Sequence, residues 1–166
     1  MRALAAALVI AALPPSVHPW PIGGGPQYRP DAPVRDGRPV AGMRCGSAPA
    51  RFVVHVELFA HRRVVVLPRG IGRGPGCAYP LRTLEPTGVV FAARTATLGD
   101  LFRVWGRQLG RQRLLSFRGA VRVFAGGHRV AGDPRAVRLL PRRQIVVELG
   151  GYVPPHPSYL FPKGTP

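Results

Sequence analysis

Lysine is nearly missing from this chain, acidic residues are few, and no apolar run is long enough to cross a membrane. Lys163 is the single lysine among 24 basic residues, against seven Asp and Glu, which leaves a formal charge of +17 over 166 residues. The carboxylates fall into no pair at a spacing suited to general acid–base work. Ser116 sits in no Gly-x-Ser-x-Gly elbow. The run "GIGRGPG" at 70–76 lacks the Gly-Lys-Ser/Thr ending of a phosphate loop and reads as a flexible connection. The residues point away from an enzyme. A basic excess of this size suits a polyanion binder, and equally a GC-rich coding bias that turns lysine into arginine. Scattered arginines without interleaved aromatic rings favour the second.

Cysteine is scarce too. Cys45 and Cys77 flank the first strand pair, a count that fits one disulfide in an oxidising compartment or two buried thiols in a reducing one. The longest apolar run, Ala3 to Leu13, is eleven residues behind Met1-Arg2. That is the size of a signal-peptide core and too short for a bilayer span. "PPSVHPW" after it offers no small-x-small cleavage site, so the run is either processed unusually or the remnant of a longer anchor. Export is the favoured reading, with membrane contact only through this segment.

What is abundant is glycine and proline, 21 and 20 residues, about a quarter of the chain. They crowd into 14–50, 68–80 and 150–166. Residues 14–44 hold eight prolines and the triplet Gly23-Gly24-Gly25. Such a stretch buries too little apolar surface to offset its ordering entropy and reads as a disordered linker. The tail, 151–166, is similar, but Tyr152, Tyr159, Leu160 and Phe161 give it anchors for packing in extended form along the domain.

Between them, 45–150 reads as one α+β domain. "RFVVHVELFA" alternates, with Phe52, Val54, Val56 and Leu58 on one face and Val53, His55, Glu57 and Phe59 on the other. "RRVVVLP" completes an antiparallel hairpin and "GVVFAA" (88–93) is a third strand. Thr97 and Asp100 form a capping-box pair before a helix whose Leu98, Leu101, Phe102, Trp105 and Leu109 share a face, with Gly110 placed to end it. Gly126-Gly127 turns a second hairpin, Asp133-Pro134 starts a short helical turn, and Ile145, Val147 and Leu149 alternate in a last strand. This order is that of a β-grasp (ubiquitin-like) fold, a mixed sheet curled around one amphipathic helix.

The runs "PRGIG" (68–72), "CAYPLRT" (77–83), "TGVVFAA" (87–93), "TLGDLFRVWG" (97–106), "GDPRAV" (132–137) and the late "LFP" resemble, in order, a family of exported or membrane-anchored actinobacterial and related bacterial proteins with no assigned activity. The resemblance spans about 45–166. In that family the first strand resembles His-Val-His-Ala-His-Leu, a loop resembles Leu-His-Thr-His-Asp, and a following strand carries Ile-His-Ile-Glu. Such histidines could converge on Zn²⁺ or another transition metal. Here only His55 survives of the first three, with Glu57 in place of the last. Arg82, Leu84 and Glu85 occupy the loop positions, and Phe91 and Ala93 the later strand. The hairpin turn, Asn-Gly or Asp-Gly in the family, is Ala60-His61-Arg62.

The resemblance thus implies a dismantled metal site, with His55, Glu57 and Glu85 as weak residual ligands. It implies a Glu57–Arg82 ion pair in the metal's place, and a Cys45–Cys77 disulfide beside it. The expectation is a non-enzymatic, exported envelope domain without a cofactor. Its partner would be an unknown protein or an anionic envelope polymer. The alternatives are a polyanion- or nucleic-acid-binding protein and a residual metal protein using His55.

Overall fold

The computed structural model describes residues 27–166. The signal-like run 1–13 and the start of the proline-rich stretch lie outside the described residues.

The alternating run forms β1 (Phe52–Ala60), and the hairpin expected after it closes onto β2 (Arg63–Val65). The hairpin turn is tight: His61 and Arg62 both have positive φ, 50° and 64°. That is the backbone for which Asn-Gly is the usual choice. β3 (Leu81–Thr83) and β4 (Val89–Ala92) follow, then α1 (Leu98–Trp105), the hairpin of β5 (Val121–Ala125) and β6 (His128–Val130), and β7 (Gln144–Leu149). The strands make one seven-stranded mixed sheet in the order β6-β5-β7-β1-β4-β3. β2 pairs with the C-terminal half of β1, on the edge whose N-terminal half takes β4. β1 and β7, the first and last strands among the described residues, lie parallel at the centre. The α+β, mixed-sheet expectation is met.

Even-numbered residues of β1 face α1. Val54, Val56 and Leu58 join Val90, Ile145, Val147 and the helix residues Leu98, Leu101, Phe102 and Trp105 in the main core. The helix starts as its sequence dictates. Thr97 Oγ1 accepts from Asp100 N at 3.2 Å, and the Asp100 carboxylate accepts from Thr97 N at 2.9 Å. Its end differs from the expectation. Gly106, at φ 75°, stops it after eight residues. Leu109 is buried nonetheless, in a short ladder with Leu114. Gly99 admits the 3₁₀ turn Pro134–Ala136, because a Cβ there would lie 2.8 Å from Arg135 Cβ. Leu98 N then donates to Val137 O at 2.8 Å. "TLGDLFRVWG" and "GDPRAV" are two halves of one packing joint.

The glycine-rich loop is not a loose connection. Gly70 N donates to Thr83 O and Thr83 N to Ile71 O, at 3.0 and 3.2 Å, which covers the outer edge of β3. Gly72 has φ 75°, and a Cβ on it would sit 2.1 Å from Leu81 O. The Cys45–Cys77 disulfide is formed, with Cα atoms 5.6 Å apart, and it closes a span of 32 residues. Loop closure of that length contributes roughly 3–4 kcal/mol.

Residues 27–44 correct the linker expectation, because they pack against the domain. Tyr28 pairs with β2, donating to Val64 O and accepting from Val66 N. Asp31 O accepts from Trp105 Nε1 at 2.9 Å, and Met43 is buried. Proline suits such a strap because its fixed φ removes entropy that would otherwise be lost on docking. Within the described residues the folded unit therefore begins before Cys45.

Candidate functional site

The face of the sheet opposite α1 carries the polar residues. β1 presents Val53, His55, Glu57 and Phe59 there. The registers set Gln144, Val146 and Glu148 of β7 and Arg122 and Phe124 of β5 on the same face. The C-terminal tail crosses it in extended form, as expected.

His55 is 1% exposed. Its Nε2 lies 2.8 Å from Thr87 O and its Nδ1 2.6 Å from Gln144 Oε1. Tyr159 of the tail stacks on the ring, with centroids 3.6 Å apart and planes within 9°. Gly88 makes the fit possible: at φ 82° it turns Thr87 toward the ring, and a Cβ would meet His55 Nε2 at 2.8 Å. Burial holds the His55 pKa below the ordinary histidine value, against the opposing pull of Glu57 and the Thr87 carbonyl. The ring is then neutral at pH 7. The Thr87 carbonyl can only accept, so the proton sits on Nε2 and Nδ1 is an acceptor. A neutral ring therefore requires Gln144 to turn its NH₂ toward Nδ1. With Oε1 toward the ring, Gln144 Nε2 is buried without a partner.

Glu57 is buried, and its Oε2 lies 2.8 Å from Nδ1 of His156 in the tail. Burial, and then the Glu57 charge, push the Tyr159 hydroxyl pKa up. Glu148 is fully buried. Its Oε1 accepts from Val153 N at 3.1 Å, and its Oε2 lies 3.3 Å from an Arg122 nitrogen. Desolvation raises its pKa against the Val153 and Arg122 contacts. Three sheet residues, Glu148, Glu57 and His55, thus bind Val153, His156 and Tyr159 in succession. Of the expected anchors, Tyr159 and Phe161 turn inward, and Tyr152, though half exposed, lays its ring against Phe124 and beneath Arg122. Leu160 is exposed.

The Glu57–Arg82 pair is not formed. Arg82 donates to Ala48 O at 3.1 Å, and Glu57 takes His156. The register gives the reason. Arg82 lies opposite Phe91, which lies opposite Val53. Glu57 is therefore four residues further along β1 and two strands across, about 13 Å by 10 Å away on the same face. Glu85 stays on the β3–β4 loop, exposed. The residual-metal set does not fit a metal either. Both ring nitrogens of His55 are engaged and Glu57 is bound to His156. Among the described residues no three His, Cys, Asp or Glu side chains are grouped to hold an ion.

A second arrangement was not foreseen. β1 and β7 are parallel and begin at one end of the sheet, where antiparallel β4 ends. The arginines flanking these strand ends therefore gather. Arg51, Arg94, Arg138 and Arg142 surround a cavity of about 550 Å³ whose other walls include Phe52, Leu139 and Pro141. None of the four has a carboxylate partner among the described residues. Six of the seven acidic residues are spent elsewhere, on Arg38, Arg103, Arg107, Arg122, Arg135 and His156. Arg94 makes a long contact to Gly42 O at 3.5 Å, and Arg142 reaches Thr165 O at 3.4 Å while its guanidinium lies over the Phe161 ring, 5.0 Å from the centroid. Spacing along the chain hides this cluster: the β1–β4 pairing sets Arg94 near Arg51, the Arg138–Thr97 pairing brings Arg138, and Arg142 N donates to Val53 O at the start of the parallel β1–β7 pair. His156 carried a weaker signal, as a polar residue among the prolines of an otherwise apolar tail. Compared with known proteins, the chain matches no family model, no curated protein and no solved structure.

Proposed function

We propose that this chain is an exported, non-enzymatic domain of the cell envelope that binds phosphate-bearing anionic ligands at the four-arginine cavity. The observation that carries this reading is the gathering of Arg51, Arg94, Arg138 and Arg142 around one concave surface with no Asp or Glu side chain among its lining residues. Guanidinium groups present planar donor forks that match phosphate oxygens in pairs. Export draws support from the disulfide, which persists in oxidising compartments, and from the short apolar run behind Met1-Arg2. A β-grasp assignment draws support from the central parallel β1–β7 pair, flanked by β2 and by the β5–β6 hairpin, with α1 across one face. Divergence from the histidine-rich family fits a surface where Tyr159 and His156 of the tail cover the positions at which relatives would carry ligands. Nucleic acid is the weaker reading, since Phe52 is the only aromatic ring lining the cavity.

Calorimetric titration with pyrophosphate and with a glycerol-phosphate polymer tests the proposal. Binding should weaken as salt rises from about 50 to 200 mM. The double variant Arg138→Ser/Arg142→Ser should lose at least about tenfold in affinity, as expected when charge-assisted contacts to phosphate are removed. Unchanged affinity in that variant contradicts the assignment.

A further inference from the structure

The cavity does not stand alone. Leu84, Val89, Phe91, Tyr159 and Pro162 wall an apolar groove of about 510 Å³ over β4. These include residues of the stretch "PLRTLEPTGVVFAA", where the resemblance places the lost metal site. Leu84, a large apolar side chain, is 51% exposed there. The volume lies within the roughly 300–1,000 Å³ typical of ligand pockets. Two charged side chains, Glu85 and Lys163, also line it. Pro166 lines both the groove and the arginine cavity, so the two concavities adjoin.

An apolar trough that adjoins a cluster of guanidinium groups without Asp or Glu partners is complementary to one kind of molecule. We infer that the ligand is an amphiphile, with a phosphate monoester headgroup on Arg51, Arg94, Arg138 and Arg142 and a hydrocarbon chain in the groove walled by Leu84, Val89, Phe91 and Tyr159. The four arginines set the direction of the ligand. Glu85 and Lys163 carry opposite charges in the groove, whereas the arginine end gathers four cations with no Asp or Glu side chain among them. Tyr159 is held on the His55 ring, so the groove wall is in place before any ligand arrives.

The inference rests on the anion-binding reading above, and its test separates the two. Butyl, octyl and dodecyl phosphate, each below its micelle concentration, are titrated into the disulfide-bonded full chain alongside pyrophosphate. Affinity should rise with chain length, by up to about fourfold for each methylene group buried. Leu84→Glu adds a charge at an exposed position. It should abolish the chain-length dependence while leaving pyrophosphate affinity and the melting temperature unchanged. Arg138→Ser/Arg142→Ser should weaken every one of these ligands. Pyrophosphate binding with no dependence on chain length overturns the amphiphile and leaves the anion site standing. Chain-length dependence that survives Leu84→Glu places the hydrocarbon elsewhere and also overturns it. Failure of pyrophosphate and all three alkyl phosphates to bind removes both readings.

Discussion

His55 is placed by its neighbours as a neutral ring rather than as a free donor. Its ring is sealed by Tyr159, by the Thr87 carbonyl and by Gln144, a set that suits a neutral imidazole and leaves neither nitrogen for a metal. This has a consequence for stability. The folded-state pKa lies below the ordinary 6.5 of the unfolded chain because burial disfavours the imidazolium. The unfolded state then binds more protons than the folded state as pH falls through 6.5 toward the folded value. The His55 contribution is full above pH 6.5 and is lost on acidification below it. Glu148 acts in the opposite sense. Its raised pKa makes the folded state the better proton binder above 4.5, so its contribution declines as pH rises from 4.5 through the folded value. Thermal melts from pH 7.5 to 5 should show stability falling below 6.5, and His55→Gln should flatten that fall. An equal pH slope in the variant shows that His55 is not its source.

Elements were legible where a local rule and the tertiary demand agree. The period-two alternation of Phe52–Ala60 sorts its side chains onto two faces as read, and the Thr97–Asp100 capping box starts α1 where expected. The helix end was misread because Leu109 falls on the apolar face of an extended helix. Gly106, inside the same pattern, is the residue that stops it. Residues 27–44 were misread because composition records proline content and is blind to Tyr28, Asp31 and Met43 as docking points. The β1–β2 turn keeps the backbone of an Asn-Gly hairpin without those residues. Arg62 is exposed and holds φ 64°, a conformation that costs a non-glycine residue about 1–2 kcal/mol. Arg62→Gly should therefore raise stability by about 1 kcal/mol, seen as a shift of the urea midpoint at constant slope. A lowered midpoint would show that the Arg62 side chain, which packs on Gly151, matters more than its backbone strain.

At the scale of the whole molecule, the sequence carries the sheet and the disulfide but not the residues that gather from distant segments. Glu57 meets His156 across 99 residues, and the expected partner Arg82, nearer in sequence, lies two strands away. The arginine excess reads as scattered along the chain, and the pairings of β1 with β4 and β7 and of Arg138 with Thr97 collect four of those residues at one end of the sheet. The proposed function requires that this cluster, and not net charge in general, hold the anion. Arginine side-chain NMR during pyrophosphate titration tests it most directly. The account predicts saturable shifts confined to the Nε–H signals of Arg51, Arg94, Arg138 and Arg142. Small shifts spread across all the exposed arginines, or no saturation, would contradict it.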